Sequence, residues 1–199
     1  NGNATLLTEN EIHEVTSQVV TTVTQAVYDV LNRPTSITEA YGTLNLQTLL
    51  GYDSRSNNTK RTDAENRIHT SEFDGRGLPL ATRFDTGGLN ITVGNTWNRN
   101  GVLTQSSDGN GNSTTYTPNA RDLITLIQYA DLTSKTIGYN LDDAITQIID
   151  QNSSVISNTL DVTGQVTQRD IQRGAGVLGT TQEVFVRDGA YRPTRAENR

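Results

Sequence analysis

The chain has 199 residues, enough for one ordinary domain with a sizeable core, yet only 33% are hydrophobic, Met is absent, and Phe plus Trp total four. A formal net charge of −6 opposes non-specific binding to nucleic acid or to an anionic membrane, and no Lys/Arg cluster with interleaved aromatics reverses that locally. There is no cysteine to report on the redox compartment, no stretch approaches the ~18 apolar residues of a membrane span, and the first residues lack the basic start and apolar run of a signal peptide.

What the composition favours is many short strands and many turns. Thr occurs 31 times, Asn 19 times and Gly 17 times, while only 19% of residues are charged. Thr suits a pleated, half-wet surface, and Asn and Gly suit tight turns. A disordered, charge-rich chain has a different balance.

In chain order, a weak first copy of a repeat starts at Glu9, marked by Asn10 and then Val15-Thr16. The stretch Val15–Val27 carries two periodicities. Val15, Val19, Val23 and Val27 fall at helical spacing, whereas Val19, Thr21, Val23, Gln25 and Val27 alternate as a strand does. Five Val and four Thr in this stretch favour the strand. Clear copies then follow, each opened by a residue termed the anchor: Tyr28-Asp29, Tyr52-Asp53, Phe73-Asp74, Trp97-Asn98, Pro118-Asn119, Tyr139-Asn140, Leu160-Asp161 and Phe185. The spacings are 24, 21, 24, 21, 21, 21 and 25 residues, giving about nine repeats over residues 1–199.

Each column has a physical meaning. An Asp or Asn after the anchor accepts a hydrogen bond from a backbone N–H two residues on. The fourth residue after the anchor (Asn32, Ser56, Gly77, Gly101, Asp122, Asp143, Gly164 and Gly189) is of a type that tolerates the left-handed conformation closing a short loop. Thr recurs seven residues on, at Thr35, Thr59, Thr104, Thr125, Thr146 and Thr167, among strand-forming neighbours. These columns predict turns at 29–32, 53–56, 74–77, 98–101, 119–122, 140–143 and 161–164. A second turn, ten residues before an anchor, is marked by Asp63-Ala64-Glu65-Asn66-Arg67 and Asp108-Gly109-Asn110-Gly111-Asn112, and is expected to be of a different type. The fold expected is all-β: repeated antiparallel hairpins forming a long curved sheet or strip, with more than a third of residues in strand.

Phe73-Asp74-Gly75-Arg76-Gly77 followed by Asp108-Gly109-Asn110-Gly111-Asn112-Ser113-Thr114-Thr115 resembles the tyrosine-aspartate (YD) repeat of the Rhs family. The resemblance runs over nearly the whole chain, with departures at Pro118, Leu160, Val15–Val27 and Ile171–Val184. It implies a β-strip that winds into a hollow shell, as in bacterial Rhs toxins, insecticidal toxin complexes and animal teneurins, enclosing a cargo or presenting a large surface. Such arrays run far longer than this chain. Asn1-Gly2-Asn3 matches Asn110-Gly111-Asn112, and Ala196-Glu197-Asn198-Arg199 matches Ala64-Glu65-Asn66-Arg67, so the repeats are expected to continue beyond both ends or to pair with other copies through strand edges.

Catalytic chemistry finds little support in the sequence. The family's self-cleaving segment is built around Asp-Pro, and the four prolines here follow Arg33, Leu78, Thr117 and Arg192. His13 and His69, the two histidines, stand in different repeats and outside any nucleophile motif. Asp108–Asn112 resembles the start of a calcium loop, but Ser113 and Asn119 stand where Gly and an acidic residue are required. Asp142-Asp143 falls on the turn column. The sequons at Asn3, Asn57, Asn90, Asn112 and Asn152 are no more than this composition produces by chance. The anchor aromatics Tyr28, Tyr52, Phe73, Trp97, Tyr139 and Phe185 could stack on sugar rings, but packing along one sheet face explains them more simply.

The expectation is therefore a non-enzymatic structural segment of a secreted or cell-surface bacterial protein, part of a shell or fibre. Its partners are further repeats, an enclosed toxin cargo or a surface glycan, with no nucleic acid, membrane insertion, cofactor or metal. The competing expectation is an adhesin-like module that recognises glycans or a cell-surface partner.

Overall fold

The computed structural model describes residues 4–12, 19–190 and 192–198. It is all-β, and more than half of the residues are in strands. The chain divides into two compact units, the first of residues 1–95 with 107–111, the second of 96–106 with 112–199.

The first unit is an antiparallel meander of β1 (Ala4–Ile12), β2 (Val19–Tyr28), β3 (Pro34–Glu39), β4 (Leu46–Tyr52), β5 (Asn58–Thr62), β6 (Ile68–Phe73), β7 (Pro79–Phe84) and most of β8 (Ile91–Trp97), each paired with the next. β9 (Leu103–Ser107) follows. The second unit repeats the meander through β10 (Ser113–Pro118), β11 (Ile124–Gln128), β12 (Ser134–Tyr139), β13 (Ile145–Ile149), β14 (Val155–Leu160), β15 (Val166–Gln172), β16 (Gln182–Arg187) and β17 (Pro193–Asn198). The two-period stretch is strand in its described part, Val19 onward; Val15, Thr16 and His13 lie outside the described residues, as does Asn1-Gly2-Asn3.

All seven predicted turns form. The N–H of Asn32, Ser56, Gly77, Gly101, Asp122, Asp143 and Gly164 each donates to the carbonyl three residues back, at 3.0 to 3.3 Å. Each of these closing residues has positive φ, from 61° at Asn32 to 85° at Gly77. The second turn corrects the expectation of a different type. At Asp63 and Asp150 it has the same hydrogen bonds and the same left-handed closing residue as the first, whereas 40–45, 85–90 and 173–181 are wider loops. A short hairpin joined through one left-handed residue matches the right-handed twist of its strands, so one turn geometry serves both ends of the meander.

The recurrent threonines are explained by the register. In each described anchor hairpin the pairing shifts by one residue at the anchor, as between Thr117 and Pro118, which leaves one residue of the return strand unpaired. That extra residue is the threonine of the seventh column, except in the Phe73 copy, where it is Leu80. The threonine hydroxyl donates to the carbonyl of the residue before the anchor: Thr35 to Val27 at 3.2 Å, Thr125 to Thr117 at 3.1 Å, Thr167 to Thr159 at 3.2 Å. Thr125→Val keeps the shape and removes this bond, and is expected to lower stability by about 1 kcal/mol, measured as a shift in the urea midpoint. An unchanged midpoint would mean that the hydroxyl is incidental.

The same column relocates the last anchor. Thr194 donates to Val186 at 3.1 Å, and the turn is opened by Asp188, so Arg187 and not Phe185 occupies the anchor position of that copy. Phe185 is two residues earlier in β16, an even step that keeps it on the same strand face.

The packing of the two faces is unusual for a domain of this length. Among the described residues no hydrophobic side chain is buried; only Thr38 and Ser154 are. Each unit is one layer of sheet, and a single layer shields an apolar side chain only by its lateral neighbours. The faces nevertheless differ. In the second unit the register lines up Ile137, Ile148, Ile156 and Ile171 across four strands. One residue away, Gln147, Ser157, Asp170 and Gln182 line up on the other face. Slipping any strand by one residue would exchange these two rows, so the apolar row fixes the register.

Candidate functional site

The candidate site is the set of hairpin ends together with the face that carries the anchors. Each anchor turn begins with a carboxylate or amide that holds two backbone N–H groups. Asp29 Oδ1 accepts from Leu31 at 2.9 Å and Arg33 at 3.0 Å. Asp53, Asp74, Asn98, Asn140 and Asp161 do the same with the residues two and four positions on. The aspartates are held ionised by these bonds. The Arg33 backbone N–H lowers the pKa of Asp29, the Asn57 side chain that of Asp53, the Leu78 N–H that of Asp74, and the Thr163 hydroxyl that of Asp161.

Successive turns are also linked to one another. In the first unit Arg33 Nη1 donates to the Asp53 carbonyl at 3.1 Å and to Ser56 Oγ at 3.2 Å, and Arg55 reaches the carbonyls of Asp74 and Gly75. In the second, Asn100 donates to the Asp122 carboxylate at 2.8 Å, and Arg121 reaches the carbonyls of Asn140 and Leu141, both at 2.9 Å, and ion-pairs with Asp143. One half of the Asp142-Asp143 pair is thereby accounted for. The sequence columns did not reveal this latch, because the residue that makes it moves between the second and fourth positions after the Asp or Asn. A bias to Arg and Asn in the turns was the signal available.

Anchors end their strands and reach back one repeat. Tyr52 Oη donates to the Pro34 carbonyl at 2.9 Å, with the Arg33 guanidinium 4.7 Å above its ring. Tyr139 Oη donates to the Ile124 carbonyl at 3.0 Å. Pro34 and Ile124 are equivalent positions, each six residues after an anchor. Strand alternation and pairing put Tyr28, Tyr52 and Phe73 on one face of the first unit. In the second unit Tyr139, Leu160 and Phe185 share the face of the isoleucine row. Trp97 ends β8, one residue before the Asn98 turn. All are half-buried, neither sealed in a core nor presented flat to solvent.

The anchor face of the first unit is broken by a polar hollow of about 400 Å³ lined by Glu39, Arg61, Asp63, Arg67 and His69. Asp63 anchors it. Burial opposes its charge, but the Arg67 N–H and guanidinium, His69 and the Glu65 N–H outweigh that and hold its pKa well below the ordinary range. His69 Nε2 lies 3.3 Å from Asp63, while its Nδ1 accepts the Asp85 N–H at 3.4 Å. Both ring nitrogens are thus used in joining a turn to a loop. Among the described residues no group of three or more His, Cys, Asp or Glu is placed to hold a metal. The Asp108–Asn112 segment is a turn, with the Gly111 N–H donating to the Asp108 carbonyl at 3.1 Å. No helix among the described residues is long and apolar enough to cross a membrane.

These features define a class: a single-layer all-β hairpin repeat in which several successive turns are tied to one another. No protein-family model matches the sequence, and neither does any curated protein. Solved structures of toxin complexes do match its fold. The Photorhabdus luminescens Tc holotoxin pore aligns over 96% of this chain with a TM-score of 0.62 at 12% identity. TcdB2-TccC3-TEV aligns over 96% with a TM-score of 0.58 at 12% identity, and TcdB2-TccC3 without its hypervariable C-terminal region over 87% with 0.51 at 14%. The aligned part is 11%, 12% and 9% of those chains, so this chain spans about a tenth of each. At these identities the likeness is one of fold.

Proposed function

We propose that this chain is a non-enzymatic structural segment of a large exported bacterial protein of the YD-repeat, Rhs-like kind, and that it forms part of a shell wall. In this reading the strip continues into further repeats of the same protein, and its anchor face lies against a cargo or against other parts of that wall. The observation that carries the reading is the uncovered apolar face. Four aligned isoleucines, with Tyr139 and Phe185 beside them, are only half-buried, in a chain with no buried hydrophobic side chain among its described residues. Full burial of such side chains is worth about 1.5–3 kcal/mol each relative to exposure, so a face of this kind is stable only when something covers it. The likeness to toxin-complex structures supports a wall over a fibre.

The test is the behaviour of the 199-residue chain alone. It is expected to bind an apolar fluorescent dye and to self-associate as concentration rises in sedimentation velocity. Ile148→Lys with Ile156→Lys, retaining the far-ultraviolet spectrum of a β-protein, should abolish both. A wild-type chain that stays monomeric at high concentration and binds no dye would overturn the reading.

A further inference from the structure

We propose that the hollow beside Tyr129 in the second unit is a binding site for a neutral sugar. One turn departs from the rule the others follow. Among the described residues, turns whose first N–H bonds the carbonyl four residues on are opened by Asp or Asn at 29, 53, 63, 74, 98, 119, 140, 150, 161 and 188. The turn at 129–133 has the same hydrogen bonds and a left-handed Leu132, yet it opens with Tyr129. Tyrosine cannot hold the two backbone N–H groups that the carboxylate or amide holds elsewhere. Asp131, two residues on, takes over part of that role by accepting from the Thr133 N–H at 3.0 Å and the Thr133 hydroxyl at 2.6 Å. The turn's hydrogen bonds give no reason for an aromatic ring at this position, and what the ring faces offers one.

It faces a hollow of about 500 Å³ lined by Asn112, Thr114, Tyr129, Ala130, Asp131 and Gln151. Gln151 is positioned by its amide, which donates to Thr133 Oγ1 at 3.2 Å. Asp131 makes its bonds to Thr133 through Oδ1 alone, and neither the Thr114 hydroxyl nor the Tyr129 hydroxyl has a partner among the described residues. The lining therefore combines one half-buried aromatic ring, open acceptors, hydroxyls and amides. A sugar ring offers the complement: an apolar C–H patch for the tyrosine face, and adjacent hydroxyls for a carboxylate and an amide. The Thr133 hydroxyl and N–H lower the Asp131 pKa, so the site carries a negative charge and no cation lines it, which disfavours acidic sugars. The charged hollow around Arg61 and His69 has no tyrosine, phenylalanine or tryptophan ring in its lining and lacks this combination. The proposal does not depend on the chain belonging to a shell.

The experiment uses the isotope-labelled 199-residue chain, titrated with glucose, galactose, mannose and their N-acetylated forms while backbone amides are followed by NMR. At least one sugar is expected to shift the amides of Asn112, Thr114, Tyr129, Asp131 and Gln151, with weak, millimolar affinity. Tyr129→Asp restores the residue type that opens the other turns and so keeps the fold, and it should weaken binding at least about tenfold, the ~1.4 kcal/mol of one aromatic stack. Asp131→Asn keeps an acceptor for Thr133 and should let glucuronate, which the wild type rejects, shift the same amides. Shifts from no sugar in the panel, or binding unchanged in Tyr129→Asp, would overturn the proposal.

Discussion

Acid is expected to unfold this protein through its turns, and replacing turn aspartates by asparagine is expected to remove that sensitivity turn by turn. The carboxylates of Asp29, Asp53, Asp63, Asp74, Asp161 and Asp188 all have pKa values below the 3.8 of an unfolded chain, because each accepts backbone or side-chain hydrogen bonds as an anion. A depressed folded-state pKa contributes stability that is fully present above 3.8 and lost as the pH falls below it, through the folded-state values. Six such groups act in one direction, each share being reduced by its contact with solvent. Asn98, Asn119 and Asn140 hold the same N–H groups without titrating. The measurement is a series of urea midpoints from neutral pH to pH 2, for wild type and for a variant with Asp29, Asp53, Asp74 and Asp161 all changed to Asn. The variant should resemble wild type near neutrality and lose much less stability in acid. Parallel acid profiles would show that the turn carboxylates are not responsible.

Tyr139→Ala should lower stability by about 2 kcal/mol, and Tyr139→Phe by about 1 kcal/mol. A ring sealed in a core would be worth about 3–5 kcal/mol. Tyr139 is only half-buried, so the expectation drops below that range. The hydroxyl share comes from the bond to the Ile124 carbonyl, which Phe leaves to water. Hydrogen exchange separates the two parts: Tyr139→Phe should loosen amides of β11 and β12 near Ile124, while Tyr139→Ala should loosen β13 as well. Equal effects of the two variants would mean that the ring itself contributes nothing.

The turns were legible because turn chemistry is local. An Asp or Asn bonding N–H groups two and four residues on, and a left-handed residue three after it, need no distant partner, so Asp74 to Gly77 specifies its own hairpin wherever it stands. Strand alternation was legible for the same reason. The type of the second turn was not legible in its spacing, because it is set by the left-handed residue that closes it, Asn66 after Asp63 and Gly111 after Asp108. Phe185 was misplaced because an aromatic at roughly the right spacing outweighed Arg187, whose only local mark is the Asp188 that follows.

The sequence by itself determined the hairpins, their near-constant spacing and the all-β class, since each follows from turn hydrogen bonds spanning four residues and from the strand alternation on either side of them. Only the tertiary structure decided what lies some 15 to 23 residues apart: Tyr52 on Pro34, Arg33 on Asp53, Arg121 on Asn140 and Leu141. Those contacts depend on the lateral register between hairpins. That register is set by the bulge at each anchor and by the one face on which the isoleucines meet, and neither acts until neighbouring strands have paired.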